Sequence, residues 1–226
     1  MAVINIFLAG DSTVCNYDSS VAPRMGWGQV LGDYMKGNIS IHNHAQSGRS
    51  SKSFIDEGRL DNISKDIQKG DYFFIQFGHN DAKDDPERHT NPFTSFKYYL
   101  TKYIELAEKK EAYPVLITPV QRRSFDENKI FIETHQEYPL AIKQLAQHRG
   151  IPLIDLTTHT RNLYESLGPE KSKDLFLWFQ PGEHKNYPDG CQDDSHFSEY
   201  GANKVAQLVI KEIENLKLPL TKYIKN

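Results

Sequence analysis

Short runs of β-branched and aromatic residues alternate with longer amphipathic stretches along the whole chain, and this alternation constrains the fold more than any other feature. Residues 3–9, 39–44, 72–77, 113–118 and 152–155 are such runs, each bounded by Gly, Pro, Asn or Asp, which is the signature of strands ended by turns. Between them Phe93, Phe96, Leu100, Tyr103, Ile104 and Ala107 recur at helical spacing, as do Val205, Leu208, Val209 and Ile213 further on; such stripes face a core. Weaker helical patterns cover 27–35, 53–67 and 138–149. Strand and helix in alternation predict an α/β protein, a three-layer α/β/α sandwich around a five-stranded parallel sheet of the flavodoxin-like kind. The 226 residues fit one such domain over 1–226, and a chain of this size buries about 70 to 75% of its extended surface without staples. Residues 172–195 show no period and read as a long loop, and loops of that length inside a compact domain are usually functional.

Several function classes are disfavoured at this level. The 27 Lys and Arg nearly balance 30 Asp and Glu, for a formal charge of -3 with no basic block, so a nucleic-acid partner is not expected. The longest apolar runs, such as residues 6–9, fall far below the roughly 18 residues that span a bilayer. Met1 leads straight into Val3, Ile4 and Ile6 with no positive n-region or cleavage site, and the expected location is the cytoplasm. Cys15 and Cys191 lack any Cys-x-x-Cys or zinc-ribbon spacing and read as free thiols. His42 and His44 share a strand face without an evident third ligand, so no metal is expected; His89, His135, His148 and His159 read as surface residues.

In an open α/β sheet, ligands collect at the carboxyl ends of the strands. Those ends carry Gly10-Asp11-Ser12-Thr13, Gln46-Ser47-Gly48-Arg49-Ser50, Gly78-His79-Asn80-Asp81 and Pro119-Val120-Gln121-Arg122-Arg123, and Asp193-Asp194-Ser195-His196 precedes the last helix. A serine becomes a nucleophile when a histidine takes its proton and a carboxylate orients that histidine. Ser12 is the candidate nucleophile and His196 the candidate base, with Asp193, or alternatively Asp194, as the orienting acid. A tetrahedral intermediate needs donors already aimed at its oxyanion, and the Ser12 and Gly48 backbone N–H groups with the Asn80 amide could supply them. No Gly-x-Gly-x-x-Gly, Walker A or Gly-x-Ser-x-Gly occurs, so dinucleotide, P-loop and α/β-hydrolase readings have no support.

At these residues the chain resembles the SGNH (GDSL-type) hydrolase family, whose four blocks match Ser12 in Gly-Asp-Ser, Gly48, Asn80 in Gly-His-Asn-Asp, and Asp193 with His196. The resemblance spans about residues 3 to 215 and implies a serine esterase without a cofactor: Ser12, Asp193 and His196 as the triad, Ser12, Gly48 and Asn80 as the oxyanion hole. Within the family the chain looks most like the rhamnogalacturonan acetylesterase branch, through Gly26-Trp27-Gly28, the run 46–51 and the Asn186-Tyr187-Pro188-Asp189-Gly190 segment. The implied reaction removes acetyl groups from pectin-derived oligosaccharides. Arg49, Arg122 and Arg123 could pair with uronate carboxylates, while Trp178 and Tyr187 could stack on sugar faces and His184 could touch substrate. The alternatives are a lipase or thioesterase of the same family, an esterase of acetylated xylan fragments, a sugar-binding module without chemistry, and a two-metal phosphoesterase, for which too few ligands are present.

Overall fold

The computed structural model describes residues 3–225. Five strands, β1 (Ile4–Ala9), β2 (Ile39–Asn43), β3 (Tyr72–Gln76), β4 (Tyr113–Ile117) and β5 (Leu153–Ile154), form one sheet in the order β2-β1-β3-β4-β5. All four pairings are parallel, the flavodoxin-like order. The inner strands β1 and β3 are buried along most of their length, on both faces, which is why they read as nearly continuous apolar runs. Along β1 and β3, Ile6, Leu8 and Phe74 enter one core while Phe7, Ala9, Phe73 and Ile75 enter the other, as the two-residue period of a strand requires.

On the first face lie α1 (Trp27–Val30), α6 (Leu156–Lys171) and α7 (Glu199–Asn215); on the second lie α2 (Ser51–Asp56), α3 (Arg59–Asp66), α4 (Lys97–Lys109) and α5 (Tyr138–Arg149). The last helix starts where the Ser198 hydroxyl accepts from Gly201 N–H, a standard N-cap. It buries Ala202, Val205, Ala206, Val209 and Ile213. Gly201 is obligatory here, because a Cβ would lie 1.9 Å from the Leu175 carbonyl oxygen.

Four sequence expectations need correction. Residues 172–195 are not a loop: Phe176–Phe179 (β6) and Cys191–Phe197 (β7) pair as an antiparallel hairpin. Polar β7 carries no strand period, and the pairing depends on burial of Phe176, Leu177 and Phe197. The pattern over 53–67 is two helices, broken at Gly58 with φ +70°. The helix α6 has no counterpart among the predicted elements; it is capped by Asp155, whose carboxylate accepts from Thr158 N–H, and breaks at Gly168-Pro169. His135 is not a surface residue but is 2% exposed. Cys15 and Cys191 are free thiols, and no helix among the described residues is long and apolar enough to cross a membrane.

Candidate active site

The chain leaving β1 turns sharply, with Val14 and Cys15 N–H both donating to the Asp11 carbonyl. A buried chain of hydrogen bonds fixes this turn. Asp11 Oδ1 accepts from the Thr13 N–H at 2.9 Å and from Thr13 Oγ1 at 2.8 Å. Thr13 Oγ1 accepts from Gln76 Nε2 at 2.7 Å, and Gln76 Oε1 accepts from Trp27 Nε1 at 2.9 Å. Gln76 is a polar residue in the middle of the sheet, and its burial is tolerable because both ends of its amide are satisfied. Gly26-Trp27-Gly28 belongs to the same construction: a Cβ on Gly26 would meet the Cys15 carbonyl at 2.3 Å, and one on Gly28 the Val14 carbonyl at 2.6 Å. What the turn leaves half-exposed is Ser12, whose carbonyl accepts from the Tyr17 hydroxyl at 2.8 Å.

The loops after β2 and β3 are tied to each other. Asp81 is fully buried and accepts from Ser51 N–H and Oγ, Gly78 N–H and Thr90 Oγ1. Burial pushes its carboxyl up to about 7 against those hydrogen bonds. Asn80 donates through Nδ2 to the Arg49 carbonyl at 3.0 Å, which brings it beside Gly48, a residue with φ +81° that glycine adopts without strain. His79 and His135 lie with ring centroids 4.3 Å apart, and both donate through Nε2 to the Val120 carbonyl at 2.7 Å. Desolvation holds both neutral, with His135 brought down to about 3 and His79 well below its ordinary value.

The candidate acid–base pair arrives from the hairpin. Phe176 pairs with Phe197, but the next residue, Leu177, pairs with Asp193, so Asp194, Ser195 and His196 bulge out of the ladder. Across the bulge, Asp193 Oδ2 lies 2.6 Å from His196 Nδ1, and Oδ1 accepts from the N–H groups of Ser195 and His196. Burial raises the Asp193 carboxyl, but the His196 hydrogen bond and charge together with the two N–H groups outweigh it and lower it to about 2. An ionised carboxylate only accepts, so the proton on that contact sits on Nδ1 and Nε2 is the basic nitrogen. Of the adjacent acids, Asp194 is engaged elsewhere: its Oδ1 accepts from Arg123 Nη1 at 2.6 Å and from Trp178 Nε1 at 2.9 Å.

Ser12, Gly48, Asn80, His196 and Arg122 line one cleft of about 270 Å³ at the carboxyl ends of β1, β2 and β3, with Asp193 behind His196. Arg122 is held there by donating to Ser195 Oγ at 2.7 Å and to the His79 carbonyl at 3.2 Å. The other residues singled out for substrate lie outside the cleft wall. Arg49 is bound to Glu57 and to the Ser47 carbonyl. Trp178 carries Asp194 and is flanked by Arg123 and Lys173. The rings of His184 and Tyr187 pack at a tilt against Phe179 at the hairpin tip, and the Tyr187 hydroxyl donates to the Val21 carbonyl. Arg123 bonds to the Pro169 carbonyl and Asp194. The cleft also contains Arg24, Lys83 and Arg88, none of which the sequence reading selected; Lys83 and Arg88 follow the Gly-His-Asn-Asp block closely, whereas nothing local marks Arg24. Among the described residues no group of three His, Cys, Asp or Glu side chains could hold a metal. His42 instead stacks on Phe7 and bonds to Asn5.

A serine-bearing turn, a carboxylate–imidazole pair, a glycine and an asparagine meet in one cleft, and the chain belongs to the GDSL-like lipase/acylhydrolase family, whose profile matches residues 6–209. Over 221 residues it is 51% identical to the rhamnogalacturonan acetylesterase RhgT of Bacillus subtilis, covering 98% of this chain and 94% of that one. A second Bacillus subtilis relative, the probable rhamnogalacturonan acetylesterase YesY, is 43% identical over 97% of both chains. The X-ray structure of Bacillus subtilis YxiM superposes with a TM-score of 0.81 at 29% identity, over 96% of this chain and 58% of that longer one.

Proposed function

We propose that this protein is a serine esterase that removes acetyl groups from rhamnogalacturonan-derived oligosaccharides, working as a single catalytic domain. The observation that carries the reaction is the Asp193–His196 pair, joined at 2.6 Å, in the same cleft as Ser12, Gly48 and Asn80. The substrate rests on 51% identity, over nearly the full length of both chains, to a rhamnogalacturonan acetylesterase.

In this mechanism Ser12 Oγ attacks the acetyl carbonyl while His196 Nε2 takes its proton, and Asp193 holds the ring in the tautomer that makes Nε2 basic. The tetrahedral oxyanion is met by the Ser12 and Gly48 N–H groups and by Asn80 Nδ2, a reading supported by their lining the same cleft and by the need of such a charge for fixed donors. His196 then returns the proton to the departing sugar hydroxyl, leaving an acetyl-enzyme on Ser12 that water hydrolyses by the same steps. No cofactor enters the scheme. The cleft wall contains no large apolar side chain, which supports a two-carbon acyl group over a long one.

The test is acetate release from acetylated rhamnogalacturonan oligosaccharides, with acetylated xylan fragments and a chain-length series of 4-nitrophenyl esters alongside. The expected outcome is release from pectic fragments and a preference for acetate over octanoate. Faster release from xylan fragments would keep the mechanism and overturn the substrate, and a preference for octanoate would point to a lipase.

A further inference from the structure

The charge of the cleft is lopsided in a way the reaction does not use. Arg24, Lys83, Arg88 and Arg122 line it together with Ser12, and no Asp or Glu does, although acids outnumber bases in the chain as a whole. Attack on a neutral acetyl ester needs donors at the oxyanion and a base on the serine; it gives no work to four cations around the mouth. Arg88 is already matched, since it grips Asp85 at 2.7 Å, and Arg122 is spent on Ser195 and the His79 carbonyl. Arg24 and Lys83 have no carboxylate partner among the described residues.

Arg24 is also preorganised. Its guanidinium lies 4.5 Å from the centroid of the Tyr17 ring, and Tyr17 in turn donates to the carbonyl of Ser12. Its Nε is buried without a hydrogen-bond partner, an uncompensated donor of a charged group that costs the fold stability. Lys83 extends from the loop that carries Asn80, with its own N–H bound to the Asn80 carbonyl. Arg24 is thus linked through Tyr17 to the Ser12 turn, and the backbone of Lys83 to that of Asn80.

We propose that Arg24 and Lys83 form a carboxylate-binding subsite that selects acetylated oligosaccharides bearing free uronic acid carboxylates. This rests on the acetylesterase reading above and adds the residues that would make it selective. A guanidinium fork pairs with a planar carboxylate through two parallel N–H···O contacts, and Lys83 adds a point charge that steers without fixing orientation. Holding the carboxylate orients the acetylated part of the oligosaccharide over Ser12, so binding away from the reacting atoms shows in KM and, through positioning, in kcat.

The test compares kcat/KM for acetate release on three substrates: acetylated rhamnogalacturonan oligosaccharides with free carboxylates, the same fragments after methyl esterification, and neutral acetylated xylo-oligosaccharides. Wild type should prefer the free acid over its methyl ester by about tenfold, the size of one charge-assisted contact, mainly through KM, and the preference should shrink in 0.5 M salt. Arg24→Gln and Lys83→Met should each lower the ratio of free acid to methyl ester several-fold; Lys83 is exposed, so its variant remains informative if Arg24→Gln fails to fold. Equal wild-type rates on free and esterified fragments would remove the subsite while leaving the acetylesterase intact, and so would an unchanged ratio in both variants. Hydrolysis of 4-nitrophenyl acetate with no acetate release from any of the carbohydrates would overturn the substrate reading, and the subsite with it.

Discussion

The two halves of the candidate site are built differently. Ser12, Gly48 and Asn80 stand on loops that leave the sheet itself, braced by Asp11, Thr13, Gln76 and Asp81, all at most 1% exposed. Asp193 and His196 stand on a two-stranded appendage, 28% and 24% exposed in their side chains, and meet only because of a bulge. Ser12, Gly48 and Asn80, the proposed nucleophile and oxyanion donors, thus share rigidity with the core, whereas the proposed acid–base pair depends on one hairpin packing correctly. A protein built this way should lose stability and activity together when the sheet side is disturbed, and activity first when the hairpin side is.

Ser12→Ala gives the largest effect, a loss of several orders of magnitude in kcat with an unchanged melting temperature; a loss below a hundredfold would take Ser12 out of the nucleophile's place. Asp193→Asn, on the hairpin, should cost about 10³- to 10⁴-fold in kcat, because an amide can hold the imidazole in the wrong tautomer. Asn80→Ala should cost about 10²- to 10³-fold if its amide meets the oxyanion, and a change under threefold would assign that role elsewhere.

Gln76→Leu tests the sheet side. It strands the Trp27 indole N–H and removes the bond that Thr13 Oγ1 accepts, leaving that hydroxyl only its bond to Asp11, for a cost of about 3 kcal/mol and a fall of about 6 to 12 °C in the melting temperature. A modest loss of kcat should accompany that fall, because the Ser12 turn loosens; a melting temperature that drops with kcat intact would show that the brace does not reach the nucleophile.

The smallest effect is a pH slope. His135 is held near 3 in the fold and titrates near 6.5 when unfolded, so between those values the unfolded chain binds the extra proton. Its stabilising contribution is complete above about pH 6.5 and lost as pH falls, by about 2 kcal/mol at pH 5. Thermal unfolding of His135→Gln should therefore show a shallower loss between pH 7 and 5 than wild type. The difference between the two curves isolates this ring from Asp81, whose raised carboxyl runs the other way. Parallel curves would mean the ring is not held neutral.

The sequence alone determined the chemistry and the frame. The inner strands β1 and β3 are legible because a strand buried on both faces is apolar along most of its length, the edge strands β2 and β5 through the turn residues that bound them, and the Gly-Asp-Ser, Gly48 and Gly-His-Asn-Asp blocks because they follow those strands, where turn residues interrupt the period. Only the tertiary structure decided the rest. The polar stretch 191–197 has no strand period, and it pairs with β6 because Phe176 and Phe197 pack on each other in the core on one face of the sheet. His135 reads as polar in sequence but is enclosed beside His79 under the Val120 carbonyl. Arg24 is distant in sequence from Lys83 and Arg88, and the three share a cleft wall because the loops after β1 and β3 leave adjacent strands. Local periodicity records which side of its own element a residue faces; which elements then face each other is set by burial summed over the whole chain.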